Sequence, residues 1–262
     1  METVAREGFD DAAEAYDRSR PSYPPEALDW FVERLRLHPG ARVADLAAGT
    51  GIFTQLLEPL GARLVAAEPV AGMRAQLRRR VPTVPTVAAT AEAMPFASAS
   101  LDAVTVAQAF HWFDVAAATA ELRRVLRVGG RLGLLWNARD RREEWVDRVW
   151  SVMDRVEKHA PWRDHDHRST RDPHVRRDDV IGDAAGFAPV DAATFHHVQV
   201  LPPAGVLDRV RGVSHVAVLP IEQRDAVLTE VASILATHPE TRGRSELRIP
   251  YRVDCYWTER VA

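Results

Sequence analysis

The chain has 262 residues, 46% of them hydrophobic, enough for one domain with a sizeable buried core. A net charge of −3 gives no field that would favour nucleic acid or an acidic membrane. The lone Cys255 excludes an internal disulfide framework and a cysteine zinc site, no run approaches the ~18 apolar residues of a membrane span, and no signal-peptide core is visible, so a cytoplasmic protein is expected.

Residues 8 to 38 carry two helical patterns. Phe9, Ala12, Ala13 and Tyr16 recur at helical spacing, and "PPEALDWFVERLRL" follows the turn "RPSYPP", with Pro25 suited to a first helical position. From Ala41 short apolar runs alternate with amphipathic stretches. "ARVADLA" reads as a strand, "GIFTQLLEPLG" as a helix closed near Gly61, "ARLVAAE" as a strand and "VAGMRAQLRRR" as a helix. "TVPTVAA" is a weaker strand interrupted by Pro85, and "LDAVTVAQA" a strong one. "AAATAELRRVLRVGG" reads as a helix with a glycine stop, and "RLGLLWN" as a buried strand. This alternation predicts an α/β fold with a mainly parallel sheet covered by helices on both faces.

After the helical "REEWVDRVWSVMDRVEKHA" the regularity lapses into "PWRDHDHRSTRDPHVRRDD", which reads as a surface loop or lid. "FHHVQVL" and "YRVDCYWTE" then read as strands, with helices at about 203 to 212 and 221 to 237. No second domain boundary is visible. The expected layout is one domain: a helical cap at 1–40, a core at 41–137, a helix and lid at 138–190, and strands and helices at 191–262.

The chemistry gathers at "DLAAGTG", residues 45 to 51. A strand-to-helix turn with small residues lets a ligand reach backbone N–H groups directly. Gly49 and Gly51 bracket Thr50, with Ala47 at an earlier position where glycine might be expected. Asp45 sits at the strand end, where a carboxylate would repel a pyrophosphate but not a cationic ligand. Glu68 closes the next strand in "VAAEP", the place and spacing for an acid that accepts from both hydroxyls of a ribose. Together the two acids point to a nucleoside with a cationic arm, which is S-adenosylmethionine. Each acid also has a plainer reading, Asp45 as a turn cap and Glu68 as a solvated strand end.

These residues resemble the class I S-adenosylmethionine-dependent methyltransferases, in particular the type 11 small-molecule group. "VADLAAGTG" is similar to the family's first motif, with Ala47 for its usual first glycine, and "AAEP" to the second. "ATAEAMPFASASLDAVTVAQAFHWF" is similar to its adenine loop and fourth strand. The flanking "FDDAAEAYDRSRPSYP", "AFHWFD" and "GF…IPYRVDCYW" resemble a trans-aconitate methyltransferase-like subgroup.

The resemblance implies a Rossmann-like, seven-stranded, mostly parallel sheet with a late antiparallel strand. It implies S-adenosylmethionine as cofactor and S-adenosylhomocysteine as product. Pro69 belongs to the second motif, Ala91 and Glu92 approach the adenine, and Met73 packs on its face or in the core. Gln108 and Ala109 lie beside the sulfonium. Tyr16, Arg20 and Tyr23 fold over the cofactor, with Tyr23 also assigned to the substrate and Arg20 either on the cofactor's carboxylate or merely on the surface.

Methyl transfer from a sulfonium is an in-line displacement whose leaving group is already activated, so the protein mainly aligns and desolvates. No metal and no nucleophilic side chain is needed. His111 in "FHWFD" is a candidate base, a candidate hydrogen-bond donor to a carboxylate, or a structural residue. Trp112 and Phe113 are expected to wall the substrate pocket. "DHDH" at 164 to 167 reads as part of the solvated loop rather than a metal site, and "RRR" at 78 to 80 as a polar helix end. The expected substrate is a small molecule methylated on a carboxylate or hydroxyl oxygen, without nucleic-acid or membrane partners. The rivals are a non-catalytic nucleoside-binding protein and, given the glycine turn and ribose acid, a nicotinamide-dependent dehydrogenase. Thr54 falls where a complete GxGxxG would end in glycine, which tells against the latter.

Overall fold

The structure is a computed structural model that describes residues 20–158 and 186–261. The expected first helix, Tyr16 and the "DHDH" segment lie outside them. Seven strands are present: β1 Arg42–Leu46, β2 Arg63–Ala67, β3 Thr86–Val87, β4 Leu101–Ala107, β5 Leu126–Arg139, β6 Asp191–Leu201 and β7 Leu247–Glu259. They form one sheet in the order β3-β2-β1-β4-β5-β7-β6. β1, β2, β3, β4 and β5 pair in parallel. β7 runs antiparallel to β5, since Arg260 bonds the Gly129–Gly130 backbone while Asp140 N donates to Pro250 O. The fold is therefore the expected Rossmann-like α/β sheet with helices.

By internal packing the described residues fall into two compact units. The first is built on Tyr23–Ala138 with 186–195 and 253–261, the second on 139–158 and 196–252 with 20–22.

In the first unit, α1 (Pro25–Arg34) starts with proline in its first turn and buries Ala27 and Phe31. Phe31 and Leu35 pack onto Gly133 of β5, where an added Cβ would stand 2.3 Å from Phe31 Cε1. Glycine at this position lets helix and sheet close, and each large apolar side chain buried there contributes about 2 kcal/mol. The stretch after the glycine turn becomes α2 (Thr54–Leu57) and a 3-10 turn that ends at left-handed Gly61. α3 (Ala71–Arg80) and α4 (Val115–Val125) follow β2 and β4. Asp114 caps α4, its side chain accepting from Ala117 N. Cys255 on β7 is fully buried in this unit's core, and burial drives its thiol pKa well above the usual range.

One element differs from the sequence reading. α4 ends at Val125, and "LRVGG" belongs to β5 rather than to a helix closed by glycine. The two glycines serve a strand irregularity. Pairing with β4 shifts register between Leu101 and Ala103, Gly129 takes φ 75°, and a Cβ on Gly130 would lie 2.7 Å from Arg127 O. A glycine doublet signals a helix stop and a bulge alike, and here the sheet takes the chain first.

The second unit contains α5 (Glu144–Lys158), α6 (Pro203–Arg211), α7 (Ser214–Ala217) and α8 (Ile221–Thr237). Its core joins Trp145, Val149, Trp150 and Met153 to Val206, Val210, Val231, Ile249 and Tyr251. No helix among the described residues is long and apolar enough to cross a membrane.

Candidate cofactor site

The strand order reverses between β1 and β4, so their carboxyl ends open a crevice at the topological switch point, where open α/β sheets bind ligands. Both of these strands lead into strained backbone. Ala47, after β1, has φ 52°, and Gln108, after β4, has φ 62°. L-residues enter this region at a cost of roughly 1–3 kcal/mol, and such strain concentrates at ligand sites. Gln108 is held there by its N–H, which donates to Leu135 O at 2.9 Å. Its Nε2 is buried, as is Thr50 Oγ1, and neither bonds a protein group among the described residues.

The glycine turn is closed on the protein side and open on the other. Gly51 has φ 85°, and a Cβ added to it would meet Leu77 Cδ1 of α3 at 2.5 Å. Gly49 has φ 59°, and a Cβ there would meet no atom within 4 Å. Gly51 therefore secures close packing of the turn, whereas Gly49 leaves its backbone approachable. Arg80 Nε donates to Thr50 O at 3.0 Å, so one member of the "RRR" helix end reaches back to brace the turn.

The two acids have different geometries. Glu68 is 4% exposed; its Oε2 accepts from Gly49 N and its Oε1 from Val70 N, both at 2.8 Å. Burial raises its pKa, while the Val70 and Gly49 N–H groups and Arg74 oppose the rise. Each carboxylate oxygen retains a further lone pair for a hydroxyl. Asp45 has no exposed surface. Its Oδ2 accepts from Thr54 Oγ1 at 2.5 Å and its Oδ1 from Thr105 Oγ1 at 2.9 Å. Read from sequence as an acid beside a cationic ligand or as a turn cap, Asp45 is held here as an internal strut joining β1, β4 and the start of α2. Register explains it, because Asp45 stands directly beside Thr105. Desolvation pushes the Asp45 carboxyl up to about 6 against the lowering effect of the two hydroxyls.

The remaining predicted residues separate into groups. Ala91 is buried in the first unit's core and Met73 is buried on α3. Glu92 is turned to the start of α4, where Oε1 accepts from Asp114 N at 3.0 Å. The loop carrying both is pinned by Glu121, which accepts from Met94 N, and by Arg124, which donates to Met94 O and Phe96 O. Pro69 O and Glu68 O both accept from Arg74 Nη1. Ala109 precedes the 3-10 turn Phe110–Trp112, on which Phe110 faces the core while His111, Trp112 and Phe113 stay half-buried. Tyr23 packs edge-on against Phe53, ring centroids 5.3 Å apart. Arg20 belongs to the second unit, where Nη2 donates to Gly212 O at 3.2 Å.

The structure adds residues that sequence reasoning passed over. Thr54 and Thr105 hold Asp45, yet a threonine in a strand or a first helical turn is an ordinary residue. Trp136 ends the buried part of β5 and brings its Nε1 to His111 Nδ1 at 3.5 Å. As a tryptophan in a buried strand it reads simply as core. Arg80 was legible only as part of a charged helix end.

Residues 44–134 match a family described as methyltransferase domain. The chain is 38% identical over 247 residues to an uncharacterized methyltransferase of Mycobacterium tuberculosis, covering 94% of this chain and 93% of that protein. It belongs to the class I S-adenosylmethionine-dependent methyltransferases. An uncharacterized methyltransferase-like protein of Schizosaccharomyces pombe is 27% identical to this methyltransferase over 250 residues, 94% of the chain and 92% of the relative. Among solved structures, a type II methyltransferase from Anaeromyxobacter dehalogenans superposes with a TM-score of 0.62 at 25% identity, covering 92% of this chain and 98% of that one. The dehydrogenase alternative is set aside. The open face of Gly49 and the lone pairs left on Glu68 fit the methyltransferase's nucleoside cofactor.

Proposed function

We propose that this methyltransferase acts on a carboxylate or hydroxyl oxygen of a small molecule, as in the trans-aconitate methyltransferase-like subgroup its flanking motifs resemble. The observation that carries the cofactor half of the reading is the Gly49–Glu68 bond at the switch point. It presents a fixed carboxylate beside an approachable backbone, an arrangement suited to a ribose diol. Ala91 and the pinned loop around it offer an apolar surface for adenine, and Met73 supports the helix beneath. Gln108 and Ala109 place backbone oxygen and an amide at the end of β4, where a polarised methyl group would be met.

S-adenosylmethionine supplies an activated methyl on sulfur; this chain's residues align the acceptor and keep water away. His111 suits an anchoring role better than that of a base. An indole N–H only donates, so in the contact from Trp136 it is His111 Nδ1 that accepts. A carboxylate needs no base at all, which fits a histidine that Trp136 holds in place. Trp112 and Phe113, half-buried beside it, provide apolar walls, and Tyr23 edges the same unit's core.

Incubation with isotopically labelled donor and a metabolite extract, followed by mass analysis, tests the reading. A labelled methyl ester or ether supports it; label found solely on nitrogen or carbon would replace the acceptor class.

A further inference from the structure

α4 is capped in part from outside its own helix. Its N-cap, Asp114, accepts from Ala117 N and so answers one of the free donors of the first turn. The N–H of the N-cap residue needs an acceptor too, and a helix commonly supplies one from a Glu or Gln three residues on. Here that position is Ala117, whose side chain has no acceptor. The acceptor comes instead from a residue 22 positions back: Glu92 Oε1 takes Asp114 N at 3.0 Å.

Glu92 belongs to the loop that carries Ala91, folded on itself by a bridge between Thr90 and Ala93. The same loop is fastened to the later half of α4 through Met94 and Phe96, which bond Glu121 and Arg124. Those contacts reach the body of the helix. The contact at Asp114 is different, because this residue joins α4 to the 3-10 turn Phe110–Trp112. The turn has little slack. Phe110 is buried, with Phe113 edge-on at 5.5 Å, while Trp112 N donates to Ala109 O and Phe113 N to Phe110 O. A shift at Asp114 is therefore passed back to His111 through a short, fully bonded segment.

We propose that Glu92 is a positioning residue that couples the loop offered to adenine with the turn carrying His111, so that a nucleoside settling the loop also sets the acceptor side. This rests on the adenine and acceptor readings given above. Such coupling is reciprocal, so an acceptor held at the turn tightens the cofactor in equal measure. Glu92 then acts through Asp114 rather than by touching adenine.

The experiment separates capping from coupling. Ala117→Glu rebuilds the local cap, so combining it with Glu92→Ala keeps Asp114 N satisfied but cuts its tie to the loop. Full-length protein with isotopically labelled histidine is titrated with S-adenosylhomocysteine and followed by NMR. The His111 ring signals are assigned by their loss in His111→Gln. They should move in wild type and in Glu92→Gln, whose amide oxygen still accepts, and by under about half as much in the double variant. Affinity for S-adenosylhomocysteine in the double variant should stay within about threefold of wild type. Should that variant fail to fold, Glu92→Ala read against Glu92→Gln carries the same comparison. The proposal is overturned if the His111 signals stay fixed in wild type, or if they move as far once the tie is cut. Binding weakened about tenfold also overturns it, since that result would place Glu92 on the adenine itself. Neither acceptor nor methyl transfer enters the measurement, so a failed transfer assay tests the acceptor reading separately.

Discussion

The two units differ in how they hold their buried charges. In the first, each buried acid at the switch point finds its donors inside the protein: Asp45 takes two threonine hydroxyls and Glu68 two backbone N–H groups. Glu121 and Arg124 likewise close on each other and on the loop they pin. In the second, Arg209 Nε and Nη1, Trp150 Nε1 and the Tyr251 hydroxyl find no hydrogen-bond partner among the described residues. The first unit's acids, held in this way, are fixed before any ligand arrives, although Thr50 Oγ1 and Gln108 Nε2 near them bond no group among the described residues. A buried donor left unanswered costs stability instead.

The comparison breaks most decisively if the glycine turn tolerates bulk. Gly51→Val should destabilise the protein by about 4 kcal/mol, the sum of left-handed strain and a clash with Leu77. Chemical denaturation measures this, and a loss under about 1 kcal/mol would show that the turn is not tightly built. Glu68→Ala comes next. It removes the acceptor for Gly49 N and should weaken S-adenosylhomocysteine binding about 100-fold by calorimetry. Unchanged affinity would remove the ribose role.

Asp45→Asn sharpens the comparison through pH. The folded carboxyl titrates near 6, above its ordinary 3.8. Its favourable contribution is thus full below about pH 4 and is lost as pH rises through 6, because the unfolded chain releases this proton first. The difference in stability between wild type and Asp45→Asn should therefore slope against wild type from pH 4 to 6 and flatten above. Asp102, Glu121 and Asp140, all lowered by arginine partners, act in the opposite sense at lower pH and cancel in that difference. A flat difference would mean that Asp45 is not buried as described. The smallest effect is expected from Trp136→Phe, a few-fold loss in kcat/KM with cofactor affinity retained, since only the orientation of His111 changes. Full activity would make the indole contact incidental.

Much of the first unit was legible because its code is local. Short apolar runs, helix periods, Pro25 at a helix start and glycine at the turn all act within a few residues. The acids at 45 and 68 were equally legible as positions, but not as directions. Whether Asp45 faces a ligand or two threonines depends on strand register and on a helix that begins nine residues later. The glycine pair at 129 and 130 shows the same limit, since one doublet serves two structures. Arg209 was passed over in sequence as one more charged helix residue, and its burial beside Val206 and Val210 appeared only in the fold.

Cys255 gives these experiments a gauge of their own. Its sulfur lies inside the sheet core with its ionisation suppressed, and thiolate is the form that alkylating reagents attack. Iodoacetamide should leave the native chain unmodified and add a single mass increment whenever β7 peels away. Counting that tag over time would clock local opening of the sheet in every variant, with no engineered probe.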